Sequence, residues 1–530
     1  MAVRTLAAMA PTADHRYNVY WHGAMFHDNP LRIVPHTVVS LDDYLERGNF
    51  RPLGRMVEKA LDLLAFEVGK LLSVPVNVPF RLVSFLAAMV LTVVAVLFAE
   101  SVVARGRLFA QAPSTLTATV PFAVAAGFVA AGSLSTVVLF GSLYMLSTAL
   151  VLGVAALACR AVTGDGSDDG RQRVGRRRIG SWWVAGAVLA GMALASFNEI
   201  AYLALPLATA AVVVRGRWIL GLGWRRLLTG RALRLIGLLW LGFLPVFLAV
   251  RAIIYGYCRD GDCYTGSDIV LGPAVPGTFA VRMISWLPPM MWQIATRADD
   301  TPWLVGPVLV AALLVLGWLG WRAARQLPRL TAVDRRQALG LAVLALMLLT
   351  LGAALGGLNG EVQGIVAKGR WGQGWRDTAI TTAAGGLVVV AVLHALLGSA
   401  RRWRWGLSGL LVLLVLLGSV SAAANKSYRD TSGVTQAALL HNRIAVEMST
   451  FDRTPAGDAR RCALRQEFRS MYPDLDFSLM RFDQSLTIAA REIAGRPFCS
   501  VAPGVPRTHS SPSSRRSTTR ATASTGSSGG

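Results

Sequence analysis

The 530-residue chain is 53% hydrophobic and only 16% charged, and its mean hydropathy is +0.48. This composition excludes an ordinary soluble domain and indicates an all-α integral membrane protein that crosses the bilayer many times. The formal charge of +23 does not indicate a nucleic-acid partner, because most arginines fall in short clusters between apolar runs, as in the loops of membrane proteins.

The first 80 residues form a predicted extracytoplasmic loop ahead of the apolar segments. Residues 26–53 read FHDNPLRIVPHTVVSLDDYLERGNFRPL, with three aspartates before an Arg-Pro-Leu turn. Residues 56–72 then place apolar side chains at helical spacing with charged side chains between them. This pattern predicts an amphipathic helix that lies in the membrane interface.

Ten apolar segments come close to the length of about 20 residues that a membrane-spanning helix needs. They are 82–104, 116–134, 138–160, 182–197, 199–214, 235–256, 303–321, 338–357, 379–398 and 406–424. As one helix, 182–214 would be roughly 50 Å long, too long for an ordinary span. It would also place two arginine clusters on opposite sides, so we predict two helices that turn at Asn198-Glu199.

With ten spans, every arginine-dense short loop falls on one side, which is therefore predicted to be cytoplasmic. These clusters are Arg105 with Arg107, Arg171–Arg178, Arg215–Arg234, Arg322–Arg336 and Arg401–Arg404. The opposite side receives residues 1–80, the turn at Asn198-Glu199, loops 257–302 and 358–378, and the chain after 425. Lysine is scarce, as is typical of GC-rich bacterial genomes. We therefore expect a multi-pass protein of a bacterial cytoplasmic membrane, and the arginine distribution places its N-terminal loop and its C-terminus outside.

This orientation requires residues 1–80 to cross the membrane without a signal peptide or a span of their own. Either the first span translocates them or a further helix lies ahead of residue 1, and we favour the second.

The five cysteines predict two disulfides and one buried thiol. Cys258 pairs with Cys263 and Cys462 with Cys499, because no further Cys or His pair stands near enough in sequence to complete a metal site. Disulfides require an oxidising compartment, which agrees with the predicted outer side. Cys159 ends an apolar segment and is predicted to be an inert thiol.

Four regions are predicted along the chain. Residues 1–80 are the outer N-terminal loop, 81–424 the membrane domain and 425–500 a small extracytoplasmic domain. Residues 501–530 are rich in Ser, Thr, Arg and Gly and are predicted to be disordered, because they cannot bury a core.

The N-terminal loop resembles the first outer loop of polytopic C-type glycosyltransferases, the GT-C superfamily. The resemblance covers residues 26–90 and rests on GNFRPLGRM, the amphipathic segment after it and PVNVPFRLVSFL. O-mannosyltransferase-like members have a Tyr/Arg-Pro-Leu motif, an interfacial helix, a Pro-containing turn and then a span. They also carry an acidic pair ahead of the motif, and the matching place here holds His27-Asp28.

The resemblance implies a membrane enzyme that moves a sugar from a polyprenyl-phosphate carrier to a cell-envelope acceptor at the outer face. The acceptor hydroxyl must lose a proton as it attacks the anomeric carbon, and a positioned carboxylate can take that proton. Asp28 is the candidate base, with Asp42 and Asp43 as alternates. The structural alternative is that Asp28 caps a turn and Asp42 caps a short helix.

Two further sites are candidates for substrate binding. Asn198 and Glu199 lie at the predicted outer end of two short helices, where they either bind a sugar hydroxyl or acceptor amine or are simply hydrated. The outer loop 358–378 combines cations suited to phosphate with aromatic rings suited to sugars. Its candidates are Lys368, Arg370, Trp371, Trp375 and Arg376. The alternative is lipid-headgroup binding, with Arg376 paired to Asp377.

The sequence contains no phosphate-binding glycine loop, zinc signature or serine-hydrolase elbow. It indicates no particular cofactor and leaves the use of a divalent metal open. The expected partners are membrane lipid, a lipid-linked sugar donor and a cell-envelope acceptor. The alternatives to an enzyme are a transporter or lipid-linked glycan flippase and a non-catalytic envelope protein.

Overall fold

The computed structural model describes residues 15–104, 112–138, 141–162, 181–259, 263, 269–296, 330–397 and 400–500, with scattered positions between 310 and 325. The structure is 79% helical, and no strand occurs within the described ranges. The predicted all-α fold is therefore confirmed. The predicted span at 303–321 and the predicted disordered tail at 501–530 fall outside the described residues.

The helices are numbered here in chain order. The N-terminal group is α1 His15–Phe26, α2 Ile33–Val39, α3 Leu41–Glu46 and α4 Pro52–Leu72. The apolar group begins with α5 Asn77–Val103, α6 Leu116–Ala126, α7 Gly141–Arg160, α8 Ser181–Ala195, α9 Ala204–Val213, α10 Trp224–Thr229 and α11 Arg231–Cys258. It continues with α12 Ala274–Ile284, α13 Pro288–Ala295, α14 Arg335–Gly357, α15 Gly360–Ala367, α16 Thr378–Leu397 and α17 Ala400–Ser432. The C-terminal group is α18 Gln436–Thr450, α19 Pro455–Met471 and α20 Phe477–Ala494.

Within the described residues, seven helices are long and apolar enough to cross a membrane. They are Asn77–Val103, Ser142–Arg160, Ile200–Ile219, Arg231–Cys258, Arg335–Gly357, Thr378–Leu397 and Gly406–Ser432. Each lies at a predicted span. Of the other predicted spans, 182–197 forms only the 15-residue α8 and 116–134 only the 11-residue α6, and most of 303–321 lies outside the described residues.

Helix α6 contains Pro121 and ends at Gly127, and the backbone that follows is not helical. The unpaired backbone that follows is satisfied by α17. Asn425 accepts a hydrogen bond from the amide of Ala130 (2.6 Å) and donates one to the carbonyl of Phe128 (2.8 Å). Irregular backbone is tolerated at membrane depth only when it is buried and paired in this way.

The predicted turn at Asn198-Glu199 is confirmed. Helix α8 ends at Ala195, and a short 3-10 turn, Ile200–Leu203, leads into α9. The fully buried Asn198 accepts from the amide of Ala201 (3.0 Å) and donates to the hydroxyl of Ser147 on α7 (2.5 Å). The side chain therefore closes the turn and fixes it against the neighbouring helix.

Contacts between loops define the two ends of the helix bundle. At one end, the backbone around Ile269 pairs with that around Asn359. At the other end, Ser114 pairs with Thr331, and Arg215 donates to the carbonyls of Ser101 (2.7 Å), Val102 (3.1 Å) and Ala104 (2.6 Å). We call the first the cavity end, for the site described below.

The N-terminal and C-terminal helices share one hydrophobic core beside the bundle. Tyr17, Val19 and Phe66 of α1 and α4 are buried with Leu440, Phe468 and Phe482 of α18–α20. Helix α17 continues through Ser432, so the predicted boundary at 425 falls inside a helix. The predicted N-terminal loop is largely helical, and its amphipathic segment forms α4.

Both predicted disulfides are present, Cys258–Cys263 and Cys462–Cys499, and Cys159 is a buried free thiol as predicted. The first disulfide packs against Gly48. This glycine has φ +73°, and an added Cβ would lie 3.0 Å from the sulfur of Cys258. The loop that follows α3 is thus held against the end of α11.

Helices α8 and α11 cross at glycines. An added Cβ at Gly242 would lie 2.0 Å from the carbonyl oxygen of Val188, and one at Gly191 would lie 2.1 Å from that of Leu239. Small residues allow such close backbone approach between membrane helices. The crossing therefore holds the helix that ends at the Asn198 turn.

We predict that Gly242→Ala lowers the free energy of unfolding by about 1–3 kcal/mol, the usual cost of overpacking. Gly237→Ala is the matched control on the same helix, since an added Cβ there meets no atom within 4 Å. Reversible unfolding in mixed micelles measures both variants. Equal effects of the two substitutions would show that the crossing is not tightly packed.

Candidate functional site

A cavity of about 120 Å³ lies at the cavity end of the bundle. Its wall comes from the loop after α3, from the turn between α8 and α9, from the end of α14 and from the loop before α16. The residues that line it include Tyr144, Glu199, Tyr202, Arg251, Trp375, Arg376 and Asp377. Segments far apart in sequence therefore build one pocket, in which a few charged side chains lie among apolar ones.

An ion pair between Glu199 and Arg376 spans this cavity. The guanidinium Nη1 of Arg376 donates to Oε1 of Glu199 at 3.1 Å. Arg376 is buried, whereas the Glu199 side chain keeps 32% of its surface exposed. The Arg376 guanidinium also lies 5.1 Å from the ring centre of Trp375, within range of a cation–π contact. The predicted residues Glu199, Trp375 and Arg376 are thus brought together.

Arg51, the first residue of the Arg-Pro-Leu turn, directly follows residues 48–50, which line the same pocket, but does not line it itself. Its side chain is 4% exposed, and Nη1 donates to the hydroxyl of Tyr144 at 2.8 Å. The turn itself is held by the neighbouring segment, because the amide of Leu53 donates to the carbonyl of Ser196 at 3.0 Å. The motif that suggested a family therefore positions a cation beside Glu199.

The two arginines keep Glu199 ionised. Burial of the carboxylate raises its pKa, but Arg51 and Arg376 oppose this effect and lower the pKa to about 2. For Arg51 itself, burial lowers the pKa, yet Tyr144, Glu199 and Glu58 outweigh it and the net pKa is raised. Glu199 and Arg51 therefore both stay charged across the physiological pH range.

A second ion pair fixes the loop that carries Arg376. Arg282 of α12 is 1% exposed and donates from Nε and Nη2 to the two carboxylate oxygens of Asp377, at 2.8 and 2.7 Å. Its Nη1 also donates to the carbonyl of Gln373 at 3.0 Å. The sequence alternative in which Arg376 pairs with Asp377 is therefore wrong: each residue has a different partner.

Two glycines explain why this loop has the sequence WGQGW. An added Cβ at Gly372 would lie 1.9 Å from the carbonyl oxygen of Met290, and one at Gly374 would lie 2.7 Å from Cα of Ser135. Neither position can accept a side chain without a shift of backbone. The loop is thereby seated deep in the bundle, which places Trp375 and Arg376 at the cavity.

The cavity carries an excess of positive charge. Arg251 of α11 lines it and lies 5.5 Å from the ring centre of Tyr202. Together with Arg376 it outnumbers the single carboxylate of Glu199, while the Asp377 carboxylate is neutralised by Arg282. Arg51 does not line the cavity, but its charge acts on Glu199. Guanidinium groups arranged in this way match a phosphate better than a neutral ligand.

The other predicted residues of the 358–378 loop lie outside the pocket. Lys368, Arg370 and Trp371 are exposed and do not line the cavity. Asn198 does not line it either, because its side chain is used to close the turn. These residues have no contact here that supports a substrate-binding role.

Asp28 lies in a different place from the cavity. It is exposed, and its carboxylate lies within 4.8 Å of ligand atoms of His27 and Glu492, on the surface between α1 and α20. The adjoining turn is capped by Asn29, whose side chain accepts from the amide of Leu31 at 3.1 Å, so Asp28 is not that cap.

Asp42 and Asp43 are exposed in the first turn of α3. The helix N-cap is Ser40, so Asp42 does not cap the helix as the sequence suggested. Carboxylates in the first turn still interact favourably with the helix dipole. Neither aspartate lines the cavity.

The sequence did not indicate Arg282 or Tyr144 as site residues. It also did not indicate that the Arg51 side chain binds Tyr144 and acts on Glu199. Arg282 lies on α12, which is short and was treated only as part of an outer loop. Tyr144 lies within an apolar segment, and its position opposite Arg51 follows only from the packing of α7 against the start of α4. The available signal was the Arg-Pro-Leu motif itself.

Comparisons with models of protein families, with curated proteins and with solved structures find no match to this chain.

We predict that Glu199→Gln lowers stability by an amount that is constant from about pH 5 to about pH 8 and shrinks below about pH 4.5. The reason is that the pKa of Glu199 is lowered from 4.5 to about 2. The ionised carboxylate therefore stabilises the fold above its ordinary pKa, and this stabilisation is lost as the pH falls towards 2. Thermal unfolding of both proteins across this range measures the difference, and a difference that varied near neutral pH would contradict the assignment.

Proposed function

We propose that this chain is a membrane glycosyltransferase of the GT-C type that moves a sugar from a polyprenyl-phosphate carrier to a cell-envelope acceptor. The observation that supports this proposal most is the Glu199–Arg376 pair, with Arg51 and Arg251 beside it, in a cavity at one end of a membrane helix bundle. A lipid-linked phosphosugar presents a phosphate and a sugar at the same height in the membrane.

The arginines would bind the carrier phosphate. Arg376 carries its charge on a loop that Arg282 and the two glycines hold in place, so little order has to be gained when the donor binds. Trp375 beside it offers a ring face for the sugar. Arg251 and Arg51 would neutralise the charge that grows on the phosphate as the glycosidic bond breaks.

Glu199 would act on the acceptor. In the reaction, the acceptor oxygen bonds to the anomeric carbon, the bond from that carbon to the phosphate oxygen breaks, and the acceptor hydroxyl loses its proton. A carboxylate with a pKa of about 2 is a weak base. A donor phosphate that engages Arg376 and adds negative charge would raise this pKa again, so Glu199 becomes a competent base only when the donor is bound.

The same arrangement supports an outer-face reaction. The Cys258–Cys263 disulfide packs on Gly48, which lines the cavity, and disulfides form in oxidising compartments. Arg215, from one of the arginine-dense loops, lies at the opposite end of the bundle. Under this proposal the cavity end faces outwards from a bacterial cytoplasmic membrane.

Sugar transfer in reconstituted liposomes tests the proposal. A panel of radiolabelled polyprenyl-phosphate sugars is incubated with the protein and a cell-envelope fraction, and product is counted. We predict that Arg376→Ala and Glu199→Gln each lower transfer about 30-fold or more, as expected from the loss of about 2 kcal/mol or more when one partner of a close charge pair is truncated. Glu361→Gln is the matched control, since Glu361 lies on α15 and does not line the cavity.

The same assay separates the rival readings. Asp28→Asn should retain transfer if the cavity is the site, and should abolish it if the sequence hypothesis for Asp28 is right. Movement of the labelled lipid across the bilayer without cleavage of the sugar–phosphate bond would indicate the flippase alternative instead. Mass spectrometry of envelope glycans from a deletion strain would identify the acceptor.

A further inference from the structure

A second cluster of chemically active side chains is buried between α1 and α4, outside the cavity. His15 and His22 lie seven residues apart on α1, and Glu58 and Asp62 lie four apart on α4, so each pair occupies one face of its helix. The exposed fractions of these four residues are 3, 8, 3 and 1% respectively. Carboxylates are almost never buried this deeply without a cationic partner.

The donor atoms in this cluster point towards one another. Nδ1 of His15 lies 3.2 Å from Oδ1 of Asp62, and Nδ1 of His22 lies 2.8 Å from Oδ2 of the same carboxylate. One ligand atom each from His15, Glu58 and Asp62 lie within 4.8 Å of one another. Ligands of one ion held at about 2.0–2.2 Å lie roughly 3–4 Å apart, so small side-chain shifts would suffice to enclose a metal.

Glu58 supplies an independent indication. Its Oε2 accepts from Arg55 at 2.9 Å, but its buried Oε1 has no hydrogen-bond partner among the residues that the structure describes. A buried carboxylate oxygen without a partner is costly and calls for an explanation. A cation placed between His15, Glu58 and Asp62 would satisfy it.

We propose that His15, Glu58 and Asp62 bind a divalent transition-metal ion, with Zn²⁺ or Mn²⁺ best matched to one imidazole and two carboxylates. His22 then acts from outside the ligand set: it holds the second oxygen of Asp62, as the partners of metal-binding carboxylates commonly do. The residues come from two helices, so the ion joins α1 to α4.

The site has a structural consequence for the cavity. Helix α4 begins directly after Arg51, and Glu58 is one of the charges that act on Arg51. A metal that fixes α4 against α1 would therefore also fix the helix whose N-terminus carries the cavity arginine. The metal site does not depend on glycosyltransferase activity. Bound metal and thermal stability can both be measured without a sugar donor.

Metal content of the full-length protein tests the proposal. The chain is purified in detergent with an affinity tag that contains no histidine, stripped with a chelator, and dialysed against Zn²⁺, Mn²⁺ or Co²⁺. We expect about one bound ion per chain, and at least a tenfold loss of affinity in Asp62→Asn and in Glu58→Gln. Bound Co²⁺ should show a visible absorption band that changes in His15→Gln.

Two variants serve as controls. Glu67→Gln changes a half-exposed carboxylate on the same helix, and Glu492→Gln changes the exposed cluster of His27, Asp28 and Glu492. Both should bind metal as the wild type does. Loss of the ion in Glu492→Gln alone, or equal binding by all variants, would overturn the assignment.

If the ligand variants do not fold, measurements on the wild-type protein alone test the metal site. A rise in its melting temperature when Zn²⁺ or Mn²⁺ is returned after chelation, together with a Co²⁺ band typical of nitrogen ligation, would support the site. A wild-type protein that retains no ion above the level of a metal-free buffer would overturn the site. The four side chains, His15, His22, Glu58 and Asp62, would then form a hydrogen-bonded network only.

Discussion

The ion pair between Glu199 and Arg376 is the interaction on which the organisation of the cavity end depends. It joins residues 177 positions apart, one on a turn between two apolar helices and one on a loop ahead of another. The Arg376 guanidinium is buried, and without Glu199 it would lose hydration without gaining this charged partner, which is strongly destabilising. The charge of Arg376 therefore requires the segment that carries Glu199.

Side chains elsewhere in the bundle stabilise the non-helical backbone of these two segments. Asn198 closes the turn before Glu199, Arg282 holds the loop around Arg376, and Asn425 pairs the non-helical backbone after α6. Each of these side chains forms hydrogen bonds with backbone groups that a straight helix would have paired within itself. Irregular structure is costly in a membrane and tends to mark functional sites, which is why the cavity supports a function better than the exposed loops do.

The membrane-spanning helices could be predicted well because the lipid environment demands long apolar runs, and this demand is local in sequence. The turn at Asn198-Glu199 and both disulfides followed from equally local patterns. The span at 116–134 could not be predicted correctly, since the non-helical backbone after Gly127 is stabilised by the distant Asn425. A hydropathy window cannot register such tertiary pairing.

The candidate site was predicted only in part for the same reason. Glu199 and Arg376 were found because charges in apolar surroundings are conspicuous, but nothing local indicated that they are partners. Asp28 was chosen from its distance to the Arg-Pro-Leu turn, and the packing of α1 against α20 places it on the surface. Arg51 belongs to that turn, yet only the fold shows that its side chain lies beside the cavity.

Photo-crosslinking shows directly whether the cavity binds the phosphate of a polyprenyl-phosphate carrier. A polyprenyl-phosphate analogue with a photoreactive group next to the phosphate is irradiated with the protein in liposomes, and labelled peptides are identified by mass spectrometry. If the carrier phosphate binds in the cavity, labels should lie within residues 48–51, 197–203 and 370–378. Unmodified polyprenyl phosphate should compete with the analogue and reduce these labels. Competed labels confined to residues 26–30 and 488–495, around Asp28 and Glu492, would contradict it.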